Sequence, residues 1–173
     1  EEIFESTCVI SNTDPKTTYL NLLGAEILDT DFIRRTKNFR NKGNVAKLEL
    51  VFENDINING VDNNMYGKFI YAPNIKYIEH AFNANKYNKY SENPCLEFYV
   101  NKNILSANVY YVPHLTNSNH QENEIIKKCI SILGKFIPDM KISKEKLITP
   151  NAIEAKYNVA GGHWHHGDLE IDQ

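Results

Sequence analysis

Apolar and polar residues alternate most regularly in "NVAKLELVFE". There Ala46, Leu48, Leu50 and Phe52 form one face, and Val45, Lys47, Glu49 and Val51 form a largely polar opposite face. This period of two predicts a strand with one wetted side. "CLEFYV" and "LSANVYYV" are two further β-rich runs. The spacer "NKNI" has hairpin length, so the two should pair antiparallel, with Pro113 ending the second. "YGKFIYAP" reads as another strand, closed by Pro73, after the polar connection "NDININGVDNN".

The helical period appears in three places. "NIKYIEHAFNANKY" spaces Ile75, Ile78, Ala81 and Phe82 as an amphipathic stripe expected to pack on the sheet. "EIIKKCISILGKFI" puts Ile125, Ile126, Cys129, Ile130, Leu133 and Phe136 on one face and stops before Pro138, after the loop "HLTNSNHQEN". In "TPNAIEAKY", Thr149 can cap a helix that has Pro150 at its first position, following the short extended piece "KISKEKLI". At the start of the chain, "TCVIS" reads as a strand entering a helix through Asn12, Asp14 and Pro15. "TTYLNLLG" then stops at Gly24, and Thr30 is expected to cap "DFIRRTKNF". Strands outnumber any βαβ rhythm, and no GxGxxG, GxxxxGK[ST] or GxSxG pattern occurs. The expected fold is α+β, a mainly antiparallel sheet covered by helices, forming a single domain over residues 1–173.

Composition narrows the function classes. Hydrophobic residues make up 42% of the 173, enough for a globular core. The net charge is -3 and the lysines are scattered among acids, so there is no electrostatic case for a nucleic-acid partner. Cys8, Cys95 and Cys129 are odd in number and far apart, which argues against a disulfide framework or a CxxC knuckle and points to a cytoplasmic setting. No apolar run reaches spanning length. "EEIFESTCVI" lacks both signal-peptide regions and an initiating Met, and so reads as an excised or processed piece.

Candidate chemistry concentrates at the end, in "AGGHWHHGD". His163, His165 and His166 are metal-ligand types, but neighbours in an extended segment point to opposite faces. A metal site would therefore need distant partners such as His114 or His120. Alternatively, Gly161 and Gly162 let a ligand or another chain segment approach the backbone, or act only as helix C-cap residues. Asn12 and Asp14 sit at a strand-to-helix crossover, where a ligand contact and a plain capped turn are both open. The tyrosine pair of "NVYYVPH" reads as core and sheet surface, and Cys95 and Cys129 as small core residues.

Taken in order, "VISNTDPKTTYLNLLG", "DFIRRTKNFRNKGNVAKLELVF", "ENPCLEFYV", "SANVYYVPH" and "ITPNAIEAKYNVAGGHWHHGDLEIDQ" resemble the phytoene desaturase-like FAD-dependent oxidoreductases, collinearly over nearly the whole chain. Ser11, Asn12, Asp14 and Pro15 match a "SNADP"-like segment leading out of the flavin-binding region, with Thr13 replacing the usual Ala. Gly161, Gly162, His166, Gly167, Asp168, Asp172 and Gln173 match a "TGGNxFHGDxxxDQ"-like segment. His163 stands where many members have Asn, and His165 where many have an aromatic residue.

The resemblance implies a substrate-binding portion of a flavoprotein whose GxGxxG and final Gly-rich segments lie outside these residues. It implies FAD as cofactor in the complete protein, a small apolar substrate, and a flavin-binding domain in cis or trans. Asn12, Asp14, Gly161, Gly162 and Gly167 would adjoin the cofactor, and His166, whose imidazole could assist proton movement, would be the catalytic candidate. Two other classes stand beside it. One is a non-catalytic binding or assembly module, forming homo-oligomers or pairing through an exposed docking face, with peripheral membrane association as an option. The other is a His-rich metal-binding domain.

Overall fold

A computed structural model describes residues 2–62, 67–114 and 119–169. Its centre is β1, Val45–Phe52, which is hydrogen-bonded on both sides. One neighbour is β4, Ile104–Tyr110, with Leu48 opposite Ala107; the other is β5, Ile142–Ile148, with Leu48 opposite Leu147. β3, Cys95–Asn101, forms the expected hairpin with β4, and β2, Lys68–Tyr71, adds to its far edge. The sheet is antiparallel throughout, in the order β2-β3-β4-β1-β5. The fold is therefore α+β, as the strand-rich pattern predicts.

Because strand side chains alternate, each register fixes a face. Ala46, Leu48, Leu50, Leu96, Phe98, Leu105, Ala107 and Val109 all point to one side and are buried. α3, Asn119–Leu133, covers that side with Ile125, Ile126, Cys129, Ile132 and Leu133. Each large aliphatic side chain so buried contributes roughly 1.5–3 kcal/mol. The opposite face carries Lys47, Glu49, Lys68, Glu97, Tyr99, Asn108 and Lys146, all partly or fully exposed. No described helix is long and apolar enough to cross a membrane.

The helix termini follow side-chain chemistry. α4, Pro150–Tyr157, is capped by Thr149, whose hydroxyl accepts from the Ala152 N–H, with Pro150 at the first position as expected. α1, Thr30–Asn38, is capped one residue earlier than expected. Asp29 is extended, and its carboxylate accepts from the N–H groups of Asp31 and Phe32 at 2.8 and 3.3 Å. α3 ends at Leu133, so Phe136 leaves the helical face and packs edge-on against Tyr71 at 5.7 Å.

Three expectations are corrected. "TCVIS" forms no strand. Val9 and Ile10 are 86% and 92% exposed, because a β-branched run gains only from a paired neighbour and none of the described strands pairs with it. The stretch after it, Thr17–Leu22, is a short helix with π-type bonding rather than regular α-helix. α2, Ile75–Asn85, does not bury its isoleucine stripe. Ala81 is buried and Tyr77 half-buried, while Ile75, Ile78 and Phe82 are exposed. A small residue permits close approach, and the Tyr77 hydroxyl donates to the Pro94 carbonyl at 3.2 Å with its ring edge-on to Tyr71, so this face goes inward.

Candidate functional site

The two ends of the described chain meet around Asp14. Its side chain is buried, and four donors converge on it. Oδ1 accepts from the N–H groups of Lys16 at 2.9 Å and Thr17 at 3.1 Å; Oδ2 accepts from the Thr17 hydroxyl at 2.6 Å and the Ala160 N–H at 3.2 Å. Burial alone would raise its pKa. The Thr17 hydroxyl and the Thr17, Ala160 and Lys16 N–H groups outweigh that and hold it below the usual aspartate value. The Ala160 carbonyl is also held, accepting from Asn41 Nδ2 at 2.9 Å, and Lys16 Nζ donates to Asn41 Oδ1 at 3.1 Å. Residues 14–17, 41 and 160 thus form one polar junction between segments 146 residues apart.

From this junction the loop through 168 is drawn onto the body by its glycines. Gly161 has φ +71°, and a Cβ there would lie 2.1 Å from the Asn41 carbonyl oxygen. Gly162 has φ +60°, and its Cβ would lie 1.8 Å from the Pro150 carbonyl oxygen. Gly43 faces the same loop, its N–H donating to the Gly161 carbonyl at 2.8 Å, and Gly167 presses on the Phe39 ring. The close approach anticipated for this loop is therefore made by the chain's own segments. Gly161 and Gly162 are not the cap of α4; that is Asn158, in the left-handed region.

Glu154 on α4 locks the entrance. Its Oε1 accepts from the Gly161 N–H at 2.8 Å, and its Oε2 lies 2.5 Å from His114 Nε2. Partial burial raises its pKa, but the Gly161 N–H and His114 prevail and lower it, against repulsion from Asp14. His163 is buried as well. Its Nδ1 accepts from the His165 N–H at 3.1 Å, which leaves the proton on Nε2, 3.2 Å from Asp168 Oδ1. Burial pushes its pKa down; Asp168 opposes this, and His165 and His166 add to it.

The front of the loop is different. Trp164, His165 and His166 are exposed, with Trp164 edge-on to Tyr110 at 5.7 Å and over His165 at 4.1 Å. Among the described residues no group of three or more His, Cys, Asp and Glu side chains is arranged to hold a metal ion, and His114 and His120 are spent on Glu154 and Glu124. Of the residues singled out in the sequence, Asp14 meets the glycine loop through Ala160, and His166 lies on the loop's outer side. Asn12 is exposed beside the junction, while Asp172 and Gln173 lie outside the described residues.

Sequence reasoning missed a neighbouring feature. On the polar face of the sheet a groove of about 170 Å³ opens between β2–β4 and α2, lined by Ile70, Ile78, Cys95, Glu97, Tyr110 and Tyr111 among others. The outward stripe of α2 forms its rim, with Phe82 edge-on to Tyr111 at 5.1 Å. Tyr110 joins the groove to Trp164 of the loop. The signal lay in the register: Glu97 faces Asn108 directly, with Lys68 and Tyr110 one same-face step away along their strands. Comparison with protein-family models, curated proteins and solved structures finds no match for this chain.

Proposed function

We propose that the chain is the substrate-binding portion of a FAD-dependent oxidoreductase resembling the phytoene desaturases. In the complete enzyme an apolar substrate would give up a hydride to the flavin. The observation that carries this reading is the junction of residues 14–17 with Ala160 and the glycine loop. It unites the two segments that the resemblance sets beside a flavin, although they are 146 residues apart. An aromatic, largely apolar groove next to that loop is the kind of wall an apolar substrate needs.

The residues present do not themselves form a flavin cradle. Asp14 is saturated by internal donors, and the space before Gly161, Gly162 and Gly167 is filled by the chain's own atoms. Their role is to position the loop. Contact with a flavin-binding domain, in cis or trans, falls to exposed groups such as Asn12 and His166. The test is to purify the protein from its complete reading frame and measure flavin released on denaturation. About one FAD per chain is expected, with Asp14→Ala lowering its retention; a complete protein that takes up no FAD on reconstitution would overturn the reading.

One observation favours a second reading. Ile3, Phe4, Val9 and Ile10 are each more than 80% exposed, as in a module that docks on another chain. Size-exclusion of the protein with and without a separate flavin-binding chain distinguishes the two.

A further inference from the structure

We propose that the groove on the polar face of the sheet binds an apolar molecule carrying a hydroxyl group, with Glu97 as the acceptor for that hydroxyl. This deepens the substrate-binding reading and rests on it, because it names the chemical class of the ligand.

Ile70, Ile78, Cys95 and the rings of Tyr110 and Tyr111 provide apolar contact, and Glu97 is the charged group in the lining. The Glu97 side chain is only 17% exposed, and neighbouring donors hold it in place. Oε2 accepts from Lys68 Nζ at 3.3 Å and the Tyr110 hydroxyl at 3.4 Å, and Oε1 accepts from Asn108 Nδ2 at 3.3 Å. A carboxylate oxygen accepts two bonds, so Oε1 keeps one acceptor position. Tyr110 stays protonated, its pKa pushed up to about 12 by burial and by Glu97, so its O–H is committed to that carboxylate.

The free position suits a donor, and the surrounding charge selects which donor. Lys68 pairs with Glu97, and Lys47 donates to Asn108 Oδ1 at 3.4 Å, so a cationic ligand would meet two ammonium groups around one carboxylate. An anionic ligand has no proton to donate to Oε1 and would meet Glu97 itself, while Lys68 and Lys47, which could attract it, are already bonded to Glu97 and Asn108 Oδ1. A neutral hydroxyl donates to Oε1 without either repulsion, and the remaining apolar surface binds the hydrocarbon.

Trp164, the one tryptophan of the 173 residues, touches Tyr110 and reports on the groove by its fluorescence. The probes are 1-octanol, octanoate and octylammonium, which share a chain and differ in the head group. Octanol should bind at least about tenfold more tightly than either ion, and Glu97→Gln should weaken octanol severalfold or more. Glu97→Leu should abolish the preference. Should Glu97→Leu fail to fold, Glu97→Gln, which keeps the shape, and Ile78→Phe, which narrows the groove without adding a second indole and should weaken all three probes, still decide. Equal or tighter binding of an ion, no effect of Glu97→Gln on octanol, or no change in Trp164 on adding octanol would overturn the proposal. A complete protein that holds FAD while its groove ignores octanol refutes this assignment alone. One that binds octanol but takes up no FAD refutes the flavin reading alone.

Discussion

Replacing Gly162 by Ala tests whether the glycine loop is held by the chain's own backbone. At φ +60° a side chain costs about 1–2 kcal/mol. The added methyl would also sit 1.8 Å from the Pro150 carbonyl oxygen, a backbone atom that cannot rotate away. To clear it the loop must shift by more than 1 Å, roughly the gap to an ordinary contact. That shift puts at risk the bonds Gly162 N–H to Val159, Gly161 N–H to Glu154 and Gly43 N–H to Gly161. At about 1 kcal/mol each, losing two or three adds about 2–3, for a total of about 3–5 kcal/mol.

Gly24→Ala is the control, because Gly24 has φ +88° but no atom within 4 Å of the position its methyl would take. Its backbone, φ +88° and ψ 144°, is one that side chains avoid at about 1–3 kcal/mol, and the gain from stiffening the unfolded chain is common to both substitutions. In urea, with a slope of about 2 kcal/mol per molar, the midpoint should fall by about 1.5–2.5 M for Gly162→Ala and about 0.5–1.5 M for Gly24→Ala, with slopes unchanged. If Gly162→Ala loses no more than Gly24→Ala, the backbone approach does not hold the loop.

Asp14→Ala should destabilise the fold by about 3 kcal/mol at pH 7, since charged hydrogen bonds are lost from a buried site. The pKa of Asp14 is depressed in the fold, so this stability is fully present above the unfolded value and is lost as pH falls through the folded one. The gap between wild type and variant should therefore narrow below about pH 4 in urea titrations, and a constant gap would refute the assignment. His163, also depressed, acts in the opposite charge sense: the unfolded chain takes up its proton first as pH drops through 6.5. Stability should fall as pH drops through the unfolded value of about 6.5, with a shallower slope in His163→Asn; identical slopes would remove His163 as the cause. Asp14 and Asn41 hold the N–H and the carbonyl of the same residue, Ala160, so a double-alanine cycle should show coupling of about 1 kcal/mol. Additivity within about 0.3 kcal/mol would show that they act apart.

The sheet was legible where one signal dominated. Alternation alone identifies β1, and two β-rich runs separated by a turn-length spacer identify the β3–β4 hairpin. α2 misleads because its apolar residues form two adjacent stripes. Counting hydrophobicity selects Ile75, Ile78 and Phe82, whereas packing selects Ala81, whose smallness lets the helix approach, and Tyr77, whose hydroxyl finds the Pro94 carbonyl. "TCVIS" has strand propensity but no strand to pair with, and propensity does not supply the partner. At the site, the glycines announced a close backbone approach, but not which backbone. Neither Asn41 nor Glu154 could be foreseen as their partner, because nothing local in "FRNKG" or "AIEAKY" points 119 residues along the chain or back across a turn to Gly161. Glu97 was hidden for a similar reason. Its neighbours Lys68, Asn108 and Tyr110 are assembled by sheet register, not by spacing in the sequence.

The loop divides its labour by face, and this bears on what its histidines are for. Its rear is backbone and glycine, with His163 turned inward and both ring nitrogens occupied, so its stability comes from groups that no ligand could reach. Trp164, His165 and His166 are left on the outside, where none of them is needed to hold the loop down by burial. His166 adds a cost of its own, since φ +64° is a conformation that glycine would adopt without penalty and a side chain adopts at about 1 kcal/mol or more. Folding would be served better by Gly at that position. The same left-handed conformation occurs at Asn88, Lys102, Asp139 and Asn158, so φ alone assigns His166 no role; what sets it apart is that its imidazole is exposed beside two other rings on a loop secured from behind.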